Sequence, residues 1–165
     1  AAVYWLARML EAGEDPLYIA RRVTRFASED VGLADPRALE VAVAAYQACH
    51  FIGMPECSVH LTQAVVYLSL VPKSNALYLA YESAKKDALT QLAEPVPLVI
   101  RELDYGKGYQ YAHNTEEKLT DMQCLPDSLL GKRYYRPTDQ GQEGKFKTRL
   151  EQILAWKAQQ DQEPP

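Results

Sequence analysis

Apolar residues recur at three- and four-residue steps through most of the first ninety residues, and each run is punctuated by Gly, Pro or an Asp-Pro pair. Val3, Leu6, Ala7 and Leu10 predict a first helical stripe, with Tyr4 and Trp5 beside it and Gly13 placed to stop it. The stretch from Asp15 to Pro36, DPLYIARRVTRFASEDVGLADP, begins and ends with Asp-Pro. Each Asp can therefore serve as an N-cap with Pro at the first helical position. Leu17, Ile19, Ala20, Val23, Phe26 and Ala27 share one side of this second helix, and Arg21, Arg22 and Arg25 fall largely on the other. From Pro36 to about Ile52 the chain is apolar on most sides, which predicts a central, buried third helix ended by Gly53. Pro55 can open a fourth helix, with Leu61, Ala64, Val65, Leu68 and Leu70 inward, stopped near Pro72. A fifth runs from about Ser74 to Leu92 on Leu77, Tyr78, Tyr81, Ala84, Ala88 and Leu92.

These elements predict an all-α protein, an antiparallel helical array over residues 1–94. Pro95 and Pro97 break the pattern, and Val96, Leu98, Val99 and Ile100 predict a short extended segment. Residues 95–139 read as a long irregular wrap rich in Tyr, Gly, Lys and Pro. A C-terminal helix over 140–159 carries Phe146, Leu150, Ile153, Leu154 and Trp156, and 160–165 is a frayed tail. The whole is expected to form a single domain over 1–165, a size that suits one core.

Charge and composition narrow the function classes. No apolar run reaches the roughly 18 residues that a membrane span needs. The three cysteines are odd in number and sparse, which fits a reducing cytoplasm better than a disulfide framework. Net charge is -4, with 8 basic and 11 acidic residues in the first ninety-five and 10 against 11 in the rest. Nucleic-acid contact would thus have to be local. The chain opens directly on a helical pattern without a starting Met, as a piece cut from a longer protein does.

Ser28, Glu29 and Asp30 place two carboxylates at the expected end of the second helix, where the macrodipole disfavours them. Arg21, Arg22 or Arg25 can offset Glu29 and Asp30 in a structural ion-pair network; a catalytic carboxylate pair is the competing reading, with no nucleophile or metal ligand adjacent. Cys49, His50, Cys57 and His60 supply four zinc-type donors, but adjacent Cys49 and His50 diverge on a helix and the spacing matches no common finger. Buried thiols and hydrogen-bonded histidines are the alternative. Two segments mix cations with aromatic rings: Lys107, Tyr109 and Tyr111 in YGKGYQYAH, and Lys132, Arg133 and Arg136 with Tyr134 and Tyr135. Either could stack on bases and touch phosphates, or serve packing and subunit contact. His113 with Cys124 is an unspecific thiol pair, and no GxSxG, HExxH or phosphate-loop motif is present. No catalytic, cofactor-binding or metal residue is assigned.

The blocks YWLARMLEAGEDPLYIARRVTRFASEDVGLADPRALEVAVAA, HFIGMPE, PKSNALYLAY, YGKGYQYAH and CLPDSLLGKRYYRPTDQG, in this order, resemble the C-terminal region of the RarA/MgsA family. These are replication-associated recombination proteins, AAA+ ATPases related to clamp loaders and to Werner-helicase-interacting protein. The resemblance implies a helical domain akin to a clamp-loader collar, through which the parent forms a homotetramer. It implies that ATP and Mg are bound in an upstream AAA+ domain, and that the parent acts at stalled or damaged forks in DNA replication, recombination and repair. It further implies DNA-stimulated ATP hydrolysis, association with single-strand-binding protein, and a cytoplasmic, nucleoid-associated setting. One departure stands out: the family carries a longer connection where this chain passes directly from PLVI to RELDYG.

Overall fold

The computed structural model describes residues 1–90, 94–101 and 108–160; Leu92, Tyr105, Gly106, Lys107 and residues 161–165 lie outside them. Six α-helices stand among the described residues, without a strand: α1 Ala2–Glu11, α2 Pro16–Phe26, α3 Arg37–Ile52, α4 Cys57–Leu70, α5 Ala76–Thr90 and α6 Glu143–Gln160. The fold is all-α, as the periodicity predicts. The chain divides into two compact units, one of Ala1–Tyr81 with Tyr135–Lys147, the other of Glu82–Tyr134 with Thr148–Pro165; of the three divisions, one falls inside α5 and one inside α6.

Local chemistry sets the helix ends in the first unit. Asp15 is the N-cap of α2, its carboxylate accepting the Leu17 N–H at 2.9 Å with Pro16 in the first turn. At the second Asp-Pro pair the helix begins one residue later than expected. Asp35 accepts the Arg37 N–H at 3.1 Å, and α3 starts at Arg37. Gly53 ends α3, and α4 starts at Cys57 rather than at Pro55.

Within this unit α3 packs on α4 and α2, and α4 also on α1 and α2. One buried cluster joins Leu6, Ile19, Ala20, Cys49, Cys57 and Leu61; a second joins Ala27, Val31, Ala38, Ala42 and Leu68. The inward face of α3 is a row of small residues, Ala38, Ala42, Ala45 and Cys49, so its neighbours approach closely. The expectation of a central, buried α3 holds for Ala42 and Ala45 and is corrected for Leu39 and Val43, which are exposed.

Α2 does not simply stop. Ala27–Val31 form a π-turn and Gly32–Ala34 a 3-10 turn before α3, so Ser28, Glu29 and Asp30 lie in a widened turn beyond the α-helix end. Gly32 has φ +53, and a Cβ there would lie 3.0 Å from the Ser74 carbonyl oxygen. The Ser74 N–H meanwhile donates to the Asp30 carbonyl at 2.8 Å. A second close approach is at Gly141, φ +51, where a Cβ would fall 2.2 Å from the Ala34 carbonyl oxygen. The neighbouring Gln142 N–H donates to that same oxygen at 2.8 Å. Both positions demand glycine for φ and for space.

In the second unit the segment expected to be extended contains a 3-10 turn, Leu98–Ile100, following Pro97. Further 3-10 turns are Ala112–Asn114 and Asp127–Leu129. Thr115 organises the loop after the first of these: its hydroxyl donates to the Ala112 carbonyl at 2.8 Å and accepts the Leu119 N–H at 3.1 Å.

Candidate assembly surface

Helix α4 has 14 residues, CSVHLTQAVVYLSL, and not one is Asp, Glu, Lys or Arg. Cys57, Leu61, Ala64 and Leu68 form its buried stripe. At 100° per residue, Val59, Val66 and Leu70 fall on the opposite side, 69%, 39% and 80% exposed, so the expectation of Leu70 on the inner face is corrected. A helix facing water on that side would carry charges there; α4 is apolar on both faces. The hairpin it makes with α3 extends the pattern. Between Val41 and Val71 the sole residue among Asp, Glu, Lys and Arg is Glu56. Phe51, 81% exposed, with Ile52 and Met54 projects at the hairpin tip, and Val43 is exposed on α3. A shallow apolar groove runs beside α4, bounded by Val59, Val66, Tyr67, Leu70 and Pro72.

A second groove lies between α1, α2 and α4. Its floor is Trp5, Leu6, Met9, Ile19, Val23, Phe26, Val65 and Leu68, and Arg22, Arg25, Glu29 and Asp30 stand around it. Arg25 pairs with Glu29 through its Nε. That hydrogen bond holds the Glu29 carboxyl below the usual range, against partial desolvation, with Arg22 adding attraction. Arg21 lies apart, its guanidinium 5.7 Å from the Tyr18 ring centroid. Four of the five residues expected in the network thus line one groove, and Arg21 does not.

The cationic and aromatic segments are placed as follows. Lys107 lies outside the described residues. Tyr109 is half-buried; Tyr111 is exposed, with its ring centroid 5.0 Å from that of His113. Lys132 donates to Asp87 Oδ2 at 3.0 Å, and the Tyr134 hydroxyl donates to the same oxygen at 3.1 Å. The Lys132 hydrogen bond is the main cause that holds the Asp87 carboxyl low. Arg133 and Arg136 are exposed, and they belong to different units. Lys132 is therefore partly neutralised by Asp87.

Cys49 and Cys57 are both buried free thiols, and burial with the Cys57 contact pushes the Cys49 thiol up to about 12. His50 is exposed beside Phe51, and the Nδ1 of His60 is buried without a partner among the described residues. Among those residues no three His, Cys, Asp or Glu side chains gather as metal ligands.

Sequence reasoning missed the most enclosed charge of the first unit. Glu143 is fully buried at the start of α6. Its Oε1 accepts the Tyr135 hydroxyl at 2.9 Å, and its Oε2 accepts both the N–H of Thr138, at 3.1 Å, and that residue's hydroxyl. Burial alone would push its carboxyl up; hydrogen bonds from Ser74, Thr138 and Tyr135 outweigh that and hold it low. An acid in the first turn of α6 was the available signal.

No helix among the described residues is long and apolar enough to cross a membrane. Residues 1–154 match the family described as MgsA AAA+ ATPase C terminal. The chain is 44% identical to the replication-associated recombination protein A of Coxiella burnetii over 92% of this chain and 36% of that protein. It is 43% identical to the protein of that name from Escherichia coli K12, over 100% of this chain and 38% of the relative. Similarity extends to ATPase WRNIP1 of Dictyostelium discoideum, 41% identical over 82% of this chain and 16% of that protein. The chain thus spans less than two fifths of the length of these curated relatives. On this similarity and its all-α architecture, the chain belongs to the family of MgsA AAA+ ATPase C-terminal domains.

Proposed function

We propose that this domain holds copies of a RarA-like AAA+ ATPase together as a homo-oligomer, a tetramer, in the manner of a clamp-loader collar. The observation that supports the reading is the α3/α4 hairpin, which carries one charged residue between Val41 and Val71 yet leaves Phe51, Val59 and Leu70 largely exposed. At about 25 cal/mol per Å² of apolar surface, covering such a face with a sister chain is a strong driving force. In this reading the parent binds ATP and Mg upstream, hydrolyses ATP in response to DNA, and works with single-strand-binding protein at stalled forks in replication, recombination and repair. Light scattering on the chain tests the assembly directly: a defined oligomer of four chains is expected, and a strict monomer at high concentration overturns it.

A second reading, DNA contact by the same domain, draws on the exposure of Arg133, Arg136 and Tyr111. Lys132 contributes less, because Asp87 holds it. Salt-sensitive binding of single-stranded or forked DNA is expected, weakened by Arg133→Ala with Arg136→Ala. Unchanged affinity in that double variant removes both arginines from consideration.

A further inference from the structure

The turn between α3 and α4 gathers three sulfur atoms at the edge of the core. We infer that Cys49, Met54 and Cys57 form a binding site for a soft monovalent metal ion of the copper(I) class, with two thiolates and one thioether around a single ion. The inference goes beyond the assembly reading and does not depend on it.

Backbone chemistry brings the three together. The Gly53 N–H donates to the Cys49 carbonyl at 3.0 Å, and the Cys57 N–H donates to the Gly53 carbonyl at 2.9 Å. The last turn of α3 and the first residue of α4 thus share one tight connection. The Cys49 and Cys57 thiols are in contact within a single buried cluster. The Cys57 thiol also donates to Met54 Sδ at 3.5 Å, which makes it the middle member of the three. With metal–sulfur bonds of about 2.3 Å, two sulfurs of a trigonal site stand about 4.0 Å apart. The Cys57 and Met54 sulfurs therefore need to open by only about half an ångström to admit an ion.

The donor set selects the metal. Thioether sulfur together with thiolate favours copper(I) over zinc, which prefers thiolate with imidazole or carboxylate. The surroundings agree, because Leu6, Ile19, Ala20 and Leu61 complete the cluster around the cysteines and offer no oxygen or nitrogen donor from their side chains. Neither neighbouring histidine joins: His50 is exposed beside Phe51, and His60 lines a cavity with Val41 and Gln63.

The site has a way in and a source of positive potential. Cys49 and Cys57 are 3% and 0% exposed, but Met54 is 44% exposed, so its flexible side chain forms the surface end of the site. On binding, each thiol gives its proton to water, two thiolate bonds and one thioether bond to the ion form, and copper keeps its oxidation state. The loaded site carries one net negative charge. The N-terminus of α4, which starts at Cys57, offsets it.

The test uses the 165-residue chain with exposed Cys124 replaced by Ser, reduced, free of oxygen and titrated with the copper(I)–bicinchoninate complex. The chain is expected to withdraw one copper ion, and X-ray absorption to count three sulfur neighbours. Met54→Leu keeps the bulk of a side chain that lies partly outside the core; it is expected to leave two sulfur neighbours and to weaken binding about ten- to a hundredfold. Cys49→Ser combined with Cys57→Ser, with far-UV circular dichroism unchanged, is expected to withdraw none. Failure of the Cys124→Ser chain to withdraw copper overturns the site. Copper held as tightly by Met54→Leu or by the double serine variant overturns it too, as adventitious binding.

Discussion

The Tyr67 hydroxyl on α4 donates to Asp35 Oδ2 at 2.6 Å, while Oδ1 of the same carboxylate accepts the Arg37 N–H at 3.1 Å. One side chain therefore starts α3 and ties that start to α4. Tyr67→Phe removes the tie and keeps the ring; a loss of about 1–2 kcal/mol is expected, measured by urea unfolding. Asp35→Ala, which removes the cap as well, is expected to cost more than Tyr67→Phe.

Glu143 makes stability depend on acid pH. Its folded carboxyl is held low by Ser74, Thr138 and Tyr135, so its contribution is present above the ordinary carboxylate range and is lost as pH falls through the depressed folded value. Glu143→Gln is expected to destabilise by about 1–3 kcal/mol at neutral pH. The gap from the parent chain should narrow as pH drops below about 4. A gap that widened in acid would contradict the assignment.

Gly141 and Gly13 provide a matched pair. Both have positive φ, but a Cβ at Gly141 would meet the Ala34 carbonyl at 2.2 Å whereas one at Gly13 would meet nothing within 4 Å. Gly13→Ala is expected to cost about 1 kcal/mol, and Gly141→Ala at least twice that, in thermal unfolding.

Leu61 and Leu70 lie on opposite sides of α4, the first fully buried and the second 80% exposed. Leu61→Ala should destabilise the fold by about 2–5 kcal/mol. Leu70→Ala is expected to lower the molar mass in solution while leaving far-UV circular dichroism unchanged. Equal effects of the two on the fold would remove the distinction between core and assembly face.

What was legible in the sequence was local. Asp15 before Pro16 marks the start of α2 because cap and helix are neighbours along the chain, and Gly13 and Gly53 mark stops for the same reason. On α4 the periodicity placed Leu61, Ala64 and Leu68 inward correctly and Leu70, 80% exposed, incorrectly; the sides of α3 were less legible. A helix apolar all round gives no moment to read, so Leu39 and Val43 could not be told from inward-facing residues. Nor was the Asp87 site, whose Lys132 partner is 45 positions away, or the Glu143 site, which gathers Ser74 from a distant stretch. The Arg25–Glu29 pair is four positions apart, a spacing that the sequence shows directly. The π-turn that sets Glu29 and Asp30 at a groove has no periodic signature.

The clasp between Ala34 and residues 141–142 means that the first unit is assembled from two stretches separated by more than fifty residues. A chain emerging from the ribosome can form α1 to α4 early, but it cannot complete that unit until residue 147 has been made. Until then the Ala34 carbonyl and the Ser74 hydroxyl await their closing partners. The hairpin, charged between Val41 and Val71 at Glu56 alone, is therefore on display to neighbouring nascent chains before its own scaffold is finished.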